Sequence, residues 1–231
     1  MWASGADWVD VGGESTRPGA EPVDVNEEMQ RVIPVIKALR QANPEGLISI
    51  DTRRVDVAKA ALDAGANMIN DVSGLRDPGM FNLVVESGCA VCIMHMQGEP
   101  GNMQSEPNYE DVFAEVYNSL NSIASKLVEN GHDSNLICLD PGIGFGKTLT
   151  HNLELLHSRN GSNYSILWGV SRKSMFAQLL GRDDSDERLA GTLGVAAHAM
   201  MEGVDLLRVH DVQEHSDLLT TLATLRPEVD A

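Results

Sequence analysis

Basic residues are scarce in this chain. Its 231 residues hold 17 Lys and Arg against 34 Asp and Glu, a formal net charge of -17. That imbalance argues against a nucleic-acid surface and against binding to anionic membranes, while leaving room for a local basic pocket that takes a small anion. Cysteine is also sparse. Cys89, Cys92 and Cys138 are too few for a disulfide framework and read as free thiols in a reducing cytoplasm. Cys89 and Cys92 form a C-x-x-C, but "GCAVCIM" is a strand pattern with no second pair and no redox-type turn. Buried thiols are therefore expected there rather than zinc. No apolar run reaches the ~18 residues of a membrane span. The N-terminal "MWASGADWVDV" lacks the basic region and apolar region of a signal peptide.

What the chain has is alternation. The 42% of hydrophobic residues suffices for a sizeable core. Short runs rich in Val, Ile and Leu recur: "WVDV" (8–11), "LISI" (47–50), "NMIN" (67–70), "AVCIM" (90–94), "LICL" (136–139), "ILWGV" (166–170) and "DLLRV" (205–209). They suit strands buried on both faces. Between them lie helical patterns. "VNEEMQRVIPVIKALRQAN" carries Pro34 as an expected kink. "VDVAKAALDAG" is expected to cap on Gly65, and "YEDVFAEVYNSLNSIASKLVENG" and "RLAGTLGVAAHAMMEG" to end at Gly131 and Gly203. The last, "HDVQEHSDLLTTLATL", is amphipathic. Strands alternating with helices imply a parallel sheet.

Each strand runs into a polar cluster: "GGESTRPG", "DTRR", "NDVSG", "HMQGEP", "DPGIGFGK", "SRKS" and "HDV". The helix-to-strand turns are plain by comparison. In a barrel of parallel strands the C-terminal strand ends open onto one face, where active sites sit, and loops that face a site carry function. Residues 1–231 are expected to form a single domain, an α/β (β/α)8 barrel with about seven strands. The opening "MWASGA" reads as a last helical turn, so the first βα unit of a full barrel is missing from this sequence. A doubly wound open sheet is the structural alternative, and it would bind its ligand at a topological switch point.

These blocks carry a resemblance. "DVGGESTRPGA", "SIDT", "INDVSG", "MHMQGEPGNMQ", "LDPGIGFGK", "SRKS" and "RVHDV" resemble, in that order and over nearly the whole chain, the dihydropteroate synthase family of pterin-binding enzymes. The resemblance implies a transferase of folate biosynthesis, a sulfonamide target. Its reaction joins 4-aminobenzoate to (7,8-dihydropterin-6-yl)methyl diphosphate, giving 7,8-dihydropteroate and diphosphate.

That chemistry makes three demands. The first is a hold on the amino-pyrimidinone edge of a pterin, which a carboxylate meets with paired N–H acceptance. By resemblance Asp51, Asn70 and Asp140 do this, with Met94 and Phe145 as apolar walls. Asp51 and Asp140 read alternatively as helix N-caps. The second demand is anchorage and release of diphosphate. Arg208 and His210 alternate on one strand end and are expected to point to the same side. Arg17 sits in the glycine-rich loop, where Ser15 or Thr16 adds donors. Mg²⁺ is expected as a charge neutraliser, but the family's Asn ligand lies in a first loop with no counterpart here, so no metal ligand is assigned. The third demand is a pocket for the charge that develops at the pterin methylene. Lys173 is expected at the pterin carbonyl side, Ser174 near the benzoate carboxylate, and Thr16, Arg17 and Pro18 as the aminobenzoate wall. Lys173, Arg208, His210 and Arg17 are the expected catalytic set.

Other readings remain at this point. One is a non-catalytic pterin-binding paralogue or fragment. A second is a corrinoid-type methyltransferase. A third is a metal-dependent barrel hydrolase using Asp51, His95, Asp140 and His210, although a His-x-His spacing is absent. The resemblance implies a homodimer, for which "LGVAAHAMM" offers an apolar, Ala-rich face. A cytoplasmic location is expected.

Overall fold

The structure, a computed structural model, describes residues 1–17, 19–99, 101, 103–157 and 162–225. Seven strands make one sheet: β1 (Trp8–Gly12), β2 (Leu47–Asp51), β3 (Met68–Asp71), β4 (Ala90–Met94), β5 (Ile137–Asp140), β6 (Ser165–Trp168) and β7 (Leu206–Leu207). Every neighbouring pair is parallel and the strands follow one another in sequence order. A doubly wound sheet would reverse that order at a switch point. This one does not, and it curls as a barrel wall with one side open.

Eight α-helices among the described residues cover the outside: α1 (Val25–Ala42), α2 (Val55–Asp63), α3 (Pro78–Ser87), α4 (Val112–Glu129), α5 (Leu149–His157), α6 (Met175–Leu180), α7 (Leu189–Glu202) and α8 (Val212–Leu225). Three of them, α3, α5 and α6, leave too short a periodic pattern to stand out in the sequence. Pro34 lies within α1, which is assigned as one continuous helix. In α2 the cap is Ala64, one residue earlier than expected, and Gly65 follows it with φ 110. Residues 2–4 form a short 3-10 helix that ends on Gly5 in the left-handed conformation, in line with the last-turn reading of "MWASGA".

The two-residue period of the strands sorts the side chains. Val9, Val11, Ile48, Ile50, Ile69, Val91, Ile93, Ile137, Leu139, Ile166 and Trp168 face the helices and form the main core. The alternate positions face the barrel axis. Deep inside, Met68, Cys92, Cys138 and Leu167 pack with Trp8, Ala90 and Leu206. Cys92 and Cys138 are buried and all three cysteines are free. Nearer the C-terminal strand ends the inward positions become polar. The same alternation that hides Ile50, Ile69 and Leu139 under helices turns Asp51, Asn70 and Asp140 inward.

The open side lies between β7 and β1. A cavity of about 820 Å³ occupies it, lined by Trp8, Asp10, Met68, Leu167, Leu206 and Arg208 among others. No helix among the described residues is long and apolar enough to cross a membrane.

Candidate active site

The inward carboxylates meet one arginine. Arg208 follows β7, and its Nη1 donates to Asp51 Oδ2 at 2.9 Å and lies 3.3 Å from Asp10 Oδ2. Asp10 is itself an acceptor for Ser49 Oγ at 2.5 Å and for Asn70 Nδ2 at 3.2 Å. Three strands and the loop after β7 thus contribute to one polar lattice across the cavity. Burial lifts the Asp51 carboxyl above its usual range, the Asp10 charge adds to this, and Arg208 opposes it. Arg208 keeps its proton firmly: burial works against the charge, but Asp51, Asp10 and Asp140 together outweigh it.

Asp140 ends β5 on the opposite side of the axis. Its Oδ1 accepts the Gly142 N–H at 2.7 Å. The second oxygen, Oδ2, points to the axis, where a Cβ on Gly169 would sit 3.7 Å from it and 3.9 Å from Arg208 Cβ. Burial raises the Asp140 carboxyl, with the Lys173 charge as the largest opposing influence. Lys173 is held close by: Nζ donates to the Ile143 carbonyl and stands 4.4 Å above the Phe145 ring. Burial pulls the Lys173 amine down to about 8, against the pull of Asp140. Phe145 and Met94 belong to one apolar cluster with Val72, Met96 and Met103. Asp140 and Lys173 thus stand beside the Phe145 and Met94 cluster, with Arg208 close enough for its charge to act on both.

The helix-cap reading of the carboxylates does not hold. Asp51 closes β2, while the N-cap of α2 is Arg54. Asp140 closes β5, and α5 starts only at Leu149. His210 donates its backbone N–H to Ser171 Oγ at 3.1 Å, and its Nδ1 lies 2.9 Å from the same oxygen. Both Arg208 and His210 line the cavity. They do so from the loop after β7, because the strand ends at Leu207, and not by strand alternation as expected. Asp51 and Asn70 line it too, whereas Thr16, Arg17, Met94, Asp140, Phe145, Lys173 and Ser174 do not. Arg17 is exposed in the loop above, near enough to His210 that its charge helps depress the imidazole, after burial and Arg172. Ser174 is the exposed N-cap of α6 and makes no side-chain cap bond. Pro18 lies outside the described residues.

The loop after β5 and the end of β4 are joined through one lysine side chain. Lys147 is buried, and its Nζ donates to the carbonyls of Phe145 at 3.0 Å, Gly142 at 3.1 Å and His95 at 3.3 Å, with His95 Nδ1 at 3.2 Å. Its alkyl stem carries an amine, pulled down to about 7 by burial against the pull of Asp140, into a cradle of oxygens and staples the loop after β5 to the end of β4. His95 therefore faces a cation, and burial, Lys147 and Arg76 hold its pKa down at about 3, from a usual 6.5. Such a histidine stays neutral in the fold while the unfolded chain takes up its proton. Its stabilising contribution is complete above pH 6.5 and drains away as the pH falls towards 3. The expected result is that Tm drops more between pH 7 and pH 5 for the unsubstituted chain than for His95→Gln. Parallel losses in thermal melts at the two pH values would contradict this.

Sequence reasoning passed over Asp10, Glu14, Glu28, Arg54 and Lys147. A signal existed for some of them. Asp10 interrupts an apolar strand run, and Glu28 sits on the buried stripe of α1. The ligand set of the hydrolase reading does not assemble: among the described residues no three His, Cys, Asp or Glu side chains group to hold a metal.

A parallel barrel wall whose C-terminal strand ends gather carboxylate, amide and cationic side chains defines the class of barrel that carries its site on that face. The chain belongs to the pterin-binding enzyme family, whose model, described as "Pterin binding enzyme", matches residues 1–210. It is 47% identical over 217 residues to the dihydropteroate synthase of Escherichia coli K12, covering 93% of this chain and 76% of that one. Among solved structures it is similar to Burkholderia cenocepacia dihydropteroate synthase complexed with 7,8-dihydropteroate, with a TM-score of 0.90 and 43% identity over 98% of this chain and 84% of that chain. It is similar also to Xanthomonas albilineans dihydropteroate synthase with 4-aminobenzoic acid, with a TM-score of 0.90 and 40% identity over 98% of this chain and 82% of that chain.

Proposed function

We propose that this chain is a dihydropteroate synthase, a transferase that condenses (7,8-dihydropterin-6-yl)methyl diphosphate with 4-aminobenzoate. The observation that carries this reading is the convergence of Asp51, Asn70, Asp140, Lys173 and Arg208 on one end of the barrel. The likeness to dihydropteroate synthases at 47% identity supports it. The family's substrates, 4-aminobenzoate and the pterin, are the small molecules assigned here.

In this reading Asp140 accepts N–H bonds from the pterin's amino-pyrimidinone edge with the oxygen that faces the axis. Asp51 and Asn70 meet the far edge of the ring, Lys173 contacts its carbonyl side, and Met94 and Phe145 flank its faces. The C–O bond between the pterin methylene and the diphosphate breaks, and its electron pair leaves with the anion. Arg208 and His210 draw that anion off. The arylamine nitrogen then forms the new C–N bond and releases a proton to water. The arylamine is neutral and weakly basic, so alignment contributes more than proton abstraction. Thr16, Arg17, Pro18 and Ser174 complete the aminobenzoate side when the loop after β1 closes.

Among the described residues no three His, Cys, Asp or Glu side chains gather, so no protein ligand is assigned to Mg²⁺, which one or two carboxylates and the substrate's phosphates can hold. Mg²⁺ bound to the incoming diphosphate would belong to the substrate. A homodimer contact fits α7 and its neighbour α6, where Leu179, Leu180 and Met201 are exposed. Three free thiols fit a reducing compartment, the cytoplasm.

The test is product formation. The purified chain with both substrates and Mg²⁺ should release diphosphate and 7,8-dihydropteroate together, one for one, as read by chromatography. Pterin binding without product would leave a non-catalytic pterin-binding protein in its place.

A further inference from the structure

Asp10 stands in the middle of β1, in a run that is otherwise apolar. Val9 and Val11 on either side enter the main core, so the strand period turns Asp10 to the barrel axis, where it lines the cavity. Its register partner on β2 is Ser49. Asn70 stands nearer the C-terminal strand ends, level with Asp51, and Arg208 follows the end of β7. The next inward position on β1 is Gly12, which carries no side chain to stand between Asp10 and these two. All three partners are donors. Ser49 Oγ donates to Asp10 Oδ1 at 2.5 Å, Asn70 Nδ2 donates to Oδ2 at 3.2 Å, and Arg208 Nη1 lies 3.3 Å from Oδ2.

A carboxylate only accepts, whereas a carboxamide donates from one end and accepts at the other. Asp10 therefore decides which way round the buried Asn70 amide sits. The amide nitrogen is drawn to β1, and the oxygen is presented on the opposite side of the group. Asp10 also shares Arg208 Nη1 with Asp51, whose Oδ2 accepts from it at 2.9 Å. Burial and then the Asp10 charge lift the Asp51 carboxyl; Asp71 on β3 adds to this, and Arg208 opposes it. Lys173, after β6, also feels the Asp51 charge.

We propose that Asp10 is a positioning residue for the pterin site, acting through Asn70 and Arg208. It turns the Asn70 oxygen to the ligand and divides one guanidinium between two carboxylates, so that the edge built by β2 and β3 accepts N–H groups. This rests on the function proposed above, in which Asp51 and Asn70 meet the far edge of the ring.

The experiment compares Asp10→Asn and Asp10→Ala with the unsubstituted chain. Dihydropterin Kd is read by calorimetry across the neutral pH range, and the titration of Asp51 is read without ligand by carbon-13 resonance in aspartate-labelled protein. In Asp10→Asn the new amide oxygen can keep the Asn70 bond while the amide nitrogen turns to Ser49 Oγ, which accepts as readily as it donates. Only the charge is lost. The expected result is a Kd within about threefold of the unsubstituted chain above the Asp51 midpoint. The midpoint itself, and with it the pH at which affinity falls away on acidification, moves to lower pH by about one unit, because a like charge has gone. Asp10→Ala also frees the Asn70 amide and should weaken binding by about tenfold or more. An unchanged midpoint in Asp10→Asn, or affinity that only follows Tm in both variants, would overturn the proposal, since a merely structural part shows no more than that. Should Asp10→Ala fail to fold, Asp10→Asn keeps the shape of the side chain and carries the test alone. If the unsubstituted chain binds no dihydropterin, the function reading falls by itself. The ligand-free titration of Asp51 then still decides the part of Asp10, and equal midpoints overturn it.

Discussion

Asp140→Asn is expected to weaken dihydropterin binding by roughly a hundredfold or more, ~3 kcal/mol, while the fold keeps its Tm. The substitution preserves the shape of the side chain. Its amide oxygen can still accept the Gly142 N–H that Asp140 Oδ1 accepts now. The other atom changes from an acceptor to a donor and faces the donor edge of the pterin. The loss combines a charge-assisted pair with the cost of leaving two donors opposed. The fold is spared because burial already disfavours the Asp140 carboxylate, which the rise in its pKa records. Calorimetry with a dihydropterin, set beside a thermal melt, separates the two effects. Pterin affinity within about threefold of the unsubstituted chain would remove Asp140 from the site and take the proposed binding mode with it.

Gly142→Ala should be the most damaging small substitution in the molecule, at more than ~3 kcal/mol, which for a chain of this length corresponds to a Tm lower by about 6–12 °C. Two causes add. Gly142 has φ 69, in the left-handed region that an L side chain adopts at a cost. Its Cβ would also meet the His95 carbonyl oxygen at 1.9 Å, a backbone atom that has no rotamer to move into. Gly146 is in the same position, 2.6 Å from the Gln97 carbonyl. The two loops approach this closely because Lys147 binds carbonyls from both. Gly88→Ala is the control. It has φ 63 but nothing within 4 Å of the added carbon, so it isolates the backbone cost, ~1 kcal/mol. Equal Tm losses for the two substitutions would mean that the loop contact contributes nothing. Pterin affinity should fall with Gly142→Ala as well, because the Gly142 N–H orients Asp140.

Much of the architecture was readable from local pattern. Apolar runs of four or five residues, each followed by a polar stretch, placed all seven strands to within one residue at their starts and, apart from the last two, at their ends. The run at 205–209 shrinks to Leu206–Leu207 because pairing with β6 covers only those residues. Arg208 and His210 consequently reach the cavity from a loop. The short helices α3, α5 and α6 left little periodic signal, whereas α2, at nine residues, was legible from its Ala-rich run and the Gly65 that follows it. The inward direction of Asp51, Asn70 and Asp140 was legible because strand-end polar residues are forced inward when their neighbours are apolar. Thr16, Arg17 and Ser174 are another matter: they sit on loops and a helix start, where no period dictates direction.

The sequence by itself determined the repeating strand–loop–helix unit, the face on which the polar clusters gather and the inward turn of Asp51, Asn70 and Asp140. All of these follow from periods of two or 3.6 residues acting within one segment. Tertiary structure alone decided the partners. Arg208 meets Asp51 across 157 positions of sequence, Asp10 joins them from β1, Arg54 grips a loop 40 positions earlier, and Lys147 finds the His95 carbonyl 52 positions away. Contacts of that kind depend on strand order, register and the curl of the sheet, which set how far each side chain must reach once every segment has already chosen its own conformation.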